Sequence, residues 1–174
     1  MQVDGASSDL EPGQQLFDEL QWVHEKIRHD LAVCEGLAER VADGLSPEQI
    51  RAEIRELQTN SPLWKLRVNC LYYCRFVHAH HHAEDVLLFP ALRSSDPALA
   101  PVVDKLEADH RAVSDLLDEV EAAADALLLE DAVDTRGRII DALGDLRTSL
   151  IAHLSYEEEM AGPTIRSWTS WPFS

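Results

Sequence analysis

Histidine and glutamate side chains interrupt two otherwise apolar helical stripes of this chain, and in each stripe they stand four residues apart. The first pair is His80 and Glu84, and the second is His153 and Glu157. Side chains four residues apart share one face of an α-helix. Burying an unpaired carboxylate beside an imidazole costs roughly several kcal/mol, and a bound cation would offset that cost. The sequence therefore predicts a metal site inside the protein.

The apolar stripes around these pairs set the register of the two helices. The first stripe consists of Leu66, Cys70, Tyr73, Val77, His80, Glu84, Leu87 and Ala91, and the second of Ile139, Leu143, Leu146, Leu150, His153, Glu157 and Met160. A proline follows each of the two glutamates at the same offset. This shared spacing favours His80 with Glu84 over the next pair along the chain, His81 with Asp85.

Two further long stripes each carry one histidine at helical spacing. The first is Phe17, Leu20, His24, Ile27, Leu31, Cys34, Ala38 and Val41, and the second is Val103, Leu106, His110, Val113, Leu117, Val120, Ala124 and Leu127. If the four stripes face one core, it contains six candidate metal ligands, namely His24, His80, Glu84, His110, His153 and Glu157. Six such ligands are too many for one tetrahedral zinc ion and suit two metal ions.

The types of ligand atom limit which metals can bind and which chemistry they can support. Imidazole with carboxylate suits iron, manganese or zinc, and disfavours copper(I), which prefers sulfur ligands. Glu84 and Glu157 come from different helices, so they can bridge two metal ions about 3.5–4 Å apart. An additional oxo or hydroxo bridge from solvent would give each ion about five ligands and leave open positions. On a redox-active pair, open positions bind dioxygen, peroxide or nitric oxide.

The apolar periodicity predicts four long helices that position these residues, at about 12–42, 62–93, 98–129 and 131–161. Ser46 and Gln49 have the spacing of a capping box and predict a short extra helix, at about 47–58. Pro101 leaves open whether the third long helix begins with a separate turn or a kink. Short connections favour antiparallel neighbours, so we expect an all-α, up-down-up-down four-helix bundle with the extra helix between helices one and two.

The chain is expected to form one domain with short extensions at both ends. Residues 1–11 are polar and predict a flexible lead-in, and residues 12–163 contain the bundle. The segment 164–174 is rich in aromatic residues, and we expect it to pack on the bundle. At 174 residues and 45% apolar content, the chain is large enough to bury a substantial core.

Charge and cysteine content indicate the partners and the compartment. The 32 acidic and 15 basic residues give a net charge of −17, which argues against nucleic acid or an anionic membrane as partner. The sequence has neither a secretory signal pattern nor an apolar run of about 18 residues. With three cysteines, an odd number, we expect the reducing cytoplasm, and we expect Cys34, Cys70 and Cys74 to be small core residues.

The motifs resemble those of the hemerythrin-like (HHE cation-binding) family over about residues 16–163. The resemblance is carried by His24, the run from His80 to Pro90, the run from Glu107 to His110, and His153-x-x-x-Glu157. It implies a non-haem di-iron centre with Glu84 and Glu157 as bridges. It also implies that His24 and His110 complete the ligand set, together with His80 and His153.

One departure from the family pattern concerns the third helix. The oxygen-carrying hemerythrins have a second histidine one turn after the helix-three ligand, where this chain has Ser114. His81 would refill that position only if the second helix rotates. Three roles are open for His81: a group that supports a ligand, a supplementary ligand, or a partly exposed polar residue. The first and last are favoured, while His29 and His82 are expected to face solvent, and Glu158 competes weakly with Glu157.

Three functions fit this reading. The favoured one is a non-haem di-iron protein that binds dioxygen, nitric oxide or peroxide, or senses iron or redox state. The second is a di-iron oxidase or a catalase-like enzyme, because Ser114 leaves one iron open and Tyr73 and Tyr156 lie near the ligands in sequence. The third is an interaction protein whose metal is structural. The sequence leaves the oligomeric state open.

Overall fold

The computed structural model describes residues 10–44, 46, 48–49, 62–127 and 132–173, and these residues form helices and turns without a strand. Its helices are α1 (Pro12–Gly44), α2 (Pro62–Ala83), α3 (Phe89–Ser95), α4 (Ala100–Ala126) and α5 (Ala132–Arg166). A π-helical turn (Glu84–Leu88) joins α2 to α3, and a 3-10 turn (Pro97–Leu99) precedes α4. The long helices α1, α2, α4 and α5 each pack against their neighbours in the chain, and α5 closes the bundle against α1. The predicted all-α bundle is confirmed.

Hydrogen bonds that cap the start of a helical segment are present at two places. The backbone N–H of Ser46 donates to Gln49 Oε1 at 2.8 Å, and the backbone N–H of Gln49 donates to Ser46 Oγ at 3.2 Å, which is the predicted capping box. The extra helix predicted at 47–58 lies largely outside the described residues. Asp96 caps the 3-10 turn by accepting from the backbone N–H of Ala98 at 3.1 Å. This separate turn places Pro101 in the first turn of α4.

The π-helical turn changes the predicted stripe of the second helix. The backbone N–H of Phe89 bonds to the carbonyl of Glu84, five residues back, so the turn holds one residue more than an α-helical turn. The extra residue moves the buried face by one position. Leu88 and Leu92 are buried, whereas Leu87 is 50% exposed. The predicted inward position of Leu87 is therefore wrong, and Ala91 is only partly buried.

The last helix is longer than its sequence pattern predicts. A stop before Gly162 was expected, but α5 continues to Arg166 with Pro163 inside it. Proline removes one backbone hydrogen bond of the helix, and burial of Ala161 and Ile165 stabilises the extra turn. Met160, predicted to face inward, is 38% exposed.

The core consists of two apolar clusters, and the histidine-bearing layer lies between them. On α1, Leu20 belongs to the smaller cluster and Ile27 to the larger one, with His24 between them. On α4, Leu106 and Val113 stand on the two sides of the corresponding histidine in the same way. Cys34, Cys70 and Cys74 are buried, unpaired members of the larger cluster, as predicted. The polar layer is thus enclosed by hydrocarbon along the bundle axis.

The C-terminal segment is attached to the start of α1 at Gly13. The backbone N–H of Gly13 donates to the carbonyl of Trp168 at 3.0 Å. Trp168 is half-buried and packs against the smaller apolar cluster. A Cβ atom at Gly13 would clash with the carbonyl oxygen of Ile165 and lie 2.8 Å from that of Trp168. This contact therefore requires a residue without a side chain.

Replacing Gly13 by alanine is expected to destabilise the protein by about 1–3 kcal/mol, because backbone atoms must move apart to admit the methyl group. Urea unfolding monitored by circular dichroism measures this change. Gly36 is the matched control, since it lies inside α1 with open space around its Cα. Gly36→Ala is expected to stabilise by about 0.5–1 kcal/mol through helix propensity. Equal effects of the two substitutions would contradict the close contact at Gly13.

Candidate metal centre

All six predicted ligands meet in the polar layer between the two apolar clusters. His24 comes from α1, His110 from α4, and His153 with Glu157 from α5. His80 lies in the last turn of α2, and Glu84 is the first residue of the π-helical turn. His80 is 10% exposed, and the other five are at most 4% exposed. The structure brings the predicted residues together and places them away from solvent.

The ligand atoms form two clusters, each with its atoms within 4.8 Å of one another. The first cluster contains His24, His80, Glu84 and Glu157. In it, Glu84 Oε1 lies 2.8 Å from His80 Nε2 and 3.7 Å from His24 Nε2. Glu157 Oε2 lies 3.4 Å from His24 Nε2. These four side chains can surround one cation.

The second cluster contains His81, Glu84, His110 and His153. Glu84 Oε2 lies 3.1 Å from His110 Nε2, so the two oxygens of this one carboxylate face different clusters. Glu157 Oε2 is 3.9 Å from His153 Nε2, which places the second glutamate beside both clusters as well. Two carboxylates between two sets of imidazoles form the arrangement expected for a bridged pair of cations.

His81 belongs to the second cluster, contrary to the favoured expectation that it supports a ligand or is partly exposed. It is 5% exposed, and its ring stacks on that of His110 at a centroid distance of 3.9 Å. Consecutive residues on a helix point about 100° apart. His80 and His81 therefore stand on the two sides of the face that α2 turns inward. His29 and His82 are exposed, as expected.

The buried polar atoms of the layer fit a bound metal pair. Several of them form no hydrogen bond of normal geometry, although some lie within 3.1 Å of each other: Nε2 of His24, His80 and His81 and both carboxylate oxygens of Glu84 and Glu157. Buried polar atoms are normally paired, because an unpaired one costs about 1–3 kcal/mol. Five imidazoles and two carboxylates suit iron, manganese or zinc. Cations at the two clusters would satisfy these atoms.

Carboxylates on the outer side of the histidines orient two of the rings. His24 Nδ1 lies 2.8 Å from Glu158 Oε1, and His110 Nδ1 lies 2.8 Å from Asp85 Oδ1. His153 Nδ1 is 3.6 Å from Asp109 Oδ2, which is too long for a hydrogen bond, and it has no hydrogen-bond partner. A carboxylate only accepts hydrogen bonds, so Nδ1 of His24 and of His110 carries a proton, and Nε2 of each ring faces the cluster.

Sequence reasoning missed these supporting roles. Asp85 and Glu158 were weighed only as rivals of the glutamate ligands that precede them. The available signal is that each outer carboxylate is the immediate sequence neighbour of a residue in the site motifs. Metal-binding histidines generally donate their second ring N–H to such a group.

Replacing Glu158 by glutamine is expected to weaken metal binding about 10- to 100-fold, the usual effect of losing a carboxylate behind a histidine ligand. The neutral amide accepts a weaker hydrogen bond from His24 Nδ1 and also offers an N–H donor that faces Arg28. Titration against a chelator of known affinity measures the change. Glu159→Gln alters an exposed neighbouring carboxylate and should leave affinity unchanged. Equal affinities for the two variants would contradict the role of Glu158.

Burial and neighbouring charges set the protonation of the site. Burial lowers the pKa of His24, but the carboxylates of Glu157, Glu158 and Glu84 outweigh it and raise that pKa to about 11. Burial, reinforced by the charge of Glu84, raises the pKa of Glu157 to about 7. Burial lowers the pKa of His81 to about 2. Burial lowers the pKa of His110, but the carboxylates of Glu84 and Asp85 outweigh it and raise that pKa. Without metal the site therefore holds protons that a bound cation must displace.

Metal binding at pH 7 is expected to release protons, because coordination needs a neutral imidazole and an ionised carboxylate. Since His24 and Glu157 hold protons below their raised pKa values, apparent affinity should fall as the pH falls through 7. Calorimetric titration in buffers of different ionisation enthalpy counts the protons. A proton count of zero, with affinity independent of pH between 6 and 8, would contradict these pKa directions.

Two pockets reach the centre on different sides of α2. The first, here called the apolar pocket, has a volume of about 210 Å³ and reaches His80 and Glu84. Apart from Glu19, the rest of its wall is aliphatic or aromatic and includes Leu16, Leu20, Val23, Leu87, Ile165 and Phe173. The second, here called the polar pocket, has a volume of about 250 Å³ and lies between α2 and α4. Its wall consists of His78, His81, His82, Asp85, His110, Arg111 and Ser114.

Among the described residues, no helix combines the length and apolar character that crossing a membrane requires. The comparison with curated proteins and the comparison with solved structures each gave no match. A family model described as the hemerythrin HHE cation binding domain matches residues 15–165, which is most of the chain and includes every residue of both clusters. The chain therefore belongs to the hemerythrin HHE cation-binding domain family.

Proposed function

We propose that this protein is a non-haem di-iron protein that binds dioxygen, nitric oxide or a related small molecule, or senses iron or redox state through that site. The observation that carries the proposal is the carboxylate of Glu84, whose two oxygens face two separate clusters of imidazoles. Glu157 lies beside both clusters as a second bridge. A shared carboxylate needs two cations close together, and two clusters joined in this way suit a metal pair better than a single ion.

The assignment of iron rests on the donors and on the access to them. Imidazole and carboxylate ligands without sulfur suit iron, and a pair of iron ions supplies reversible electron transfer to a bound small molecule. The apolar pocket reaches His80 and Glu84, and its aliphatic wall suits an uncharged diatomic ligand. Hydrocarbon above and below the layer limits the access of water along the bundle axis. These features favour binding of dioxygen or nitric oxide.

His81 bears on the choice between binding and catalysis. The absence of a histidine at Ser114 favoured an oxidase or catalase-like enzyme because it removed an imidazole from one metal. His81 supplies an imidazole to the second cluster, which thus has three histidines. Tyr73 is buried in the larger apolar cluster, and Tyr156 lies against Lys105, whose Nζ is 4.3 Å from the ring centroid. These positions suit structural roles, so they favour a binding protein over an enzyme.

The decisive experiment begins with elemental analysis of protein purified without added metal. Two iron ions per chain are expected, followed by a change in the visible spectrum when the reduced form is mixed with dioxygen or nitric oxide in a stopped-flow instrument. Bound zinc without any spectral change would instead indicate a structural metal in an interaction protein. Repeated turnovers of hydrogen peroxide, lost in Glu84→Ala, would replace the binding role with the enzyme role.

A further inference from the structure

The polar pocket places exposed histidines directly above the second cluster. Its inner wall includes His81 and His110, which are 5% and 4% exposed, and Nε2 of His81 has no hydrogen-bond partner in the structure. His78 and His82 stand nearer the solvent, where His78 is 36% exposed and His82 is also exposed. The pocket therefore contains nitrogen ligands from the surface down to the centre.

The outer part of this pocket has the chemistry of a transient cation site. His78 and His82 are four residues apart on α2, so their imidazoles share one face of the helix. Asp118 lies beside His78, with its Oδ1 3.6 Å from His78 Nε2. Asp85, 44% exposed, adds a carboxylate between this outer part and His110. Arg111 is a positively charged residue on the same wall, and its charge would repel a cation.

A divalent cation that travels to the buried clusters must exchange its water ligands for protein ligands. Moving an ion along a hydrocarbon wall without such ligands costs many kcal/mol. The apolar pocket offers a wall of this kind before His80 and Glu84 are reached. The polar pocket offers imidazole and carboxylate groups along its depth. The net charge of −17 also raises the local concentration of cations at the protein surface.

We propose that the polar pocket is the route by which divalent metal ions enter and leave the centre, with His78 and His82 as the outer ligands that pass the ion to His81 and His110. This inference rests on the proposed function, since it presupposes that the two clusters hold metal. The two outer histidines belong to neither cluster, so they change the rate of transfer and leave the final affinity alone. The apolar pocket then admits the uncharged small molecule, so metal ions and the small molecule reach the centre on different sides of α2.

The test uses Co²⁺, whose coordination by protein ligands changes its visible absorption. The full-length chain is freed of metal with a chelator, its helical content is checked by circular dichroism, and Co²⁺ is added in a stopped-flow instrument. In the double variant His78→Ala/His82→Ala, uptake should slow about tenfold, the lower end of the effect of removing a group that supports a metal site. Release of Co²⁺ from the loaded protein to a chelator should slow by the same factor, with unchanged stoichiometry.

Three comparisons make the result specific. His29→Ala removes an exposed histidine from α1, away from the pocket, and should leave both rates unchanged. Arg111→Gln removes the opposing charge and should accelerate uptake at low ionic strength. Leu87→Trp enlarges an exposed side chain on the wall of the apolar pocket and should not alter Co²⁺ uptake.

Wild-type rates in the double histidine variant, equal slowing by His29→Ala, or slow uptake in Leu87→Trp would each overturn the proposed route. A wild-type protein that binds fewer than two Co²⁺ ions at saturation would overturn the metal-pair function instead. The rates and the stoichiometry therefore separate failure of the route from failure of the proposed function.

Discussion

Replacing Glu84 by alanine is expected to abolish stable binding of both metal ions, because this residue is the one member common to the two clusters. Oε1 of Glu84 lies 2.8 Å from His80 Nε2, and Oε2 lies 3.1 Å from His110 Nε2. Without this carboxylate, Glu157 alone remains between the clusters, and one negative charge is too little to offset the repulsion between two nearby cations. The metal content, measured by elemental analysis after gel filtration, should fall from two ions per chain to none.

Substitutions that touch a single cluster provide the comparison. His24→Ala removes a ligand from the first cluster and should lose about one of the two metal ions, since the second cluster keeps its four members. Glu84→Gln preserves side-chain volume and tests whether the charge matters, and it too should lose both ions. Glu25→Gln changes an exposed carboxylate one residue beyond His24 and should keep both. Retention of one firmly bound ion in both Glu84 variants would contradict the bridging role.

The same substitution should lower thermal stability, because metal ions held by the two clusters would bind only the folded chain and would join side chains of α1, α2, α4 and α5. A ligand present at a thousand times its Kd stabilises the native state by about 4 kcal/mol, and two ions contribute twice. The melting temperature of the wild-type protein should therefore drop sharply when a chelator is added. In Glu84→Ala the chelator should have no further effect, which separates loss of metal from general damage to the core.

Every inward position that the sequence predicted in α1 and α4 is buried, but the prediction for the second helix fails beyond Glu84. In α1 and α4 every predicted inward residue is buried, because a regular 3.6-residue period runs through the whole helix. The π-helical turn breaks that period at Glu84–Leu88. Periodicity alone contains no signal for the extra residue.

The candidate site, like the fold, was predicted from the sequence only in part. The six predicted residues all lie in the polar layer. They could be predicted because a polar side chain inside an apolar stripe is recognisable from the sequence of a single helix. The outer carboxylates were not predicted, since they act between helices. Glu158 supports His24 across 134 residues of sequence, and Asp85 supports His110 across 25. Such pairs depend on how the helices are rotated in the bundle, and a stripe drawn on one helix does not determine that rotation.

Among the residues whose roles depend on how the helices are rotated, His81 has the largest effect on function. Its replacement by alanine is expected to lose about one of the two metal ions, because the second cluster keeps Glu84, His110 and His153 but lacks its third imidazole. Loss of one ligand of this kind should weaken the second ion by at least 10- to 100-fold, the cost of losing even an outer support. His82→Ala alters the next, exposed histidine and should retain both ions at equilibrium. Two tightly bound ions in His81→Ala would exclude it as a ligand.

A rescue variant tests why the chain can have serine at position 114. Ser114 follows His110 by one helical turn and lies with His81 on the wall of the polar pocket. An imidazole at position 114 would approach the second cluster from α4 and occupy the space that the ring of His81 vacates. The double variant His81→Ala/Ser114→His should therefore recover the second metal ion, whereas His81→Ala/Ser114→Asn should not. Recovery would mean that α2 supplies, through two consecutive histidines, the imidazole that α4 supplies in the family pattern.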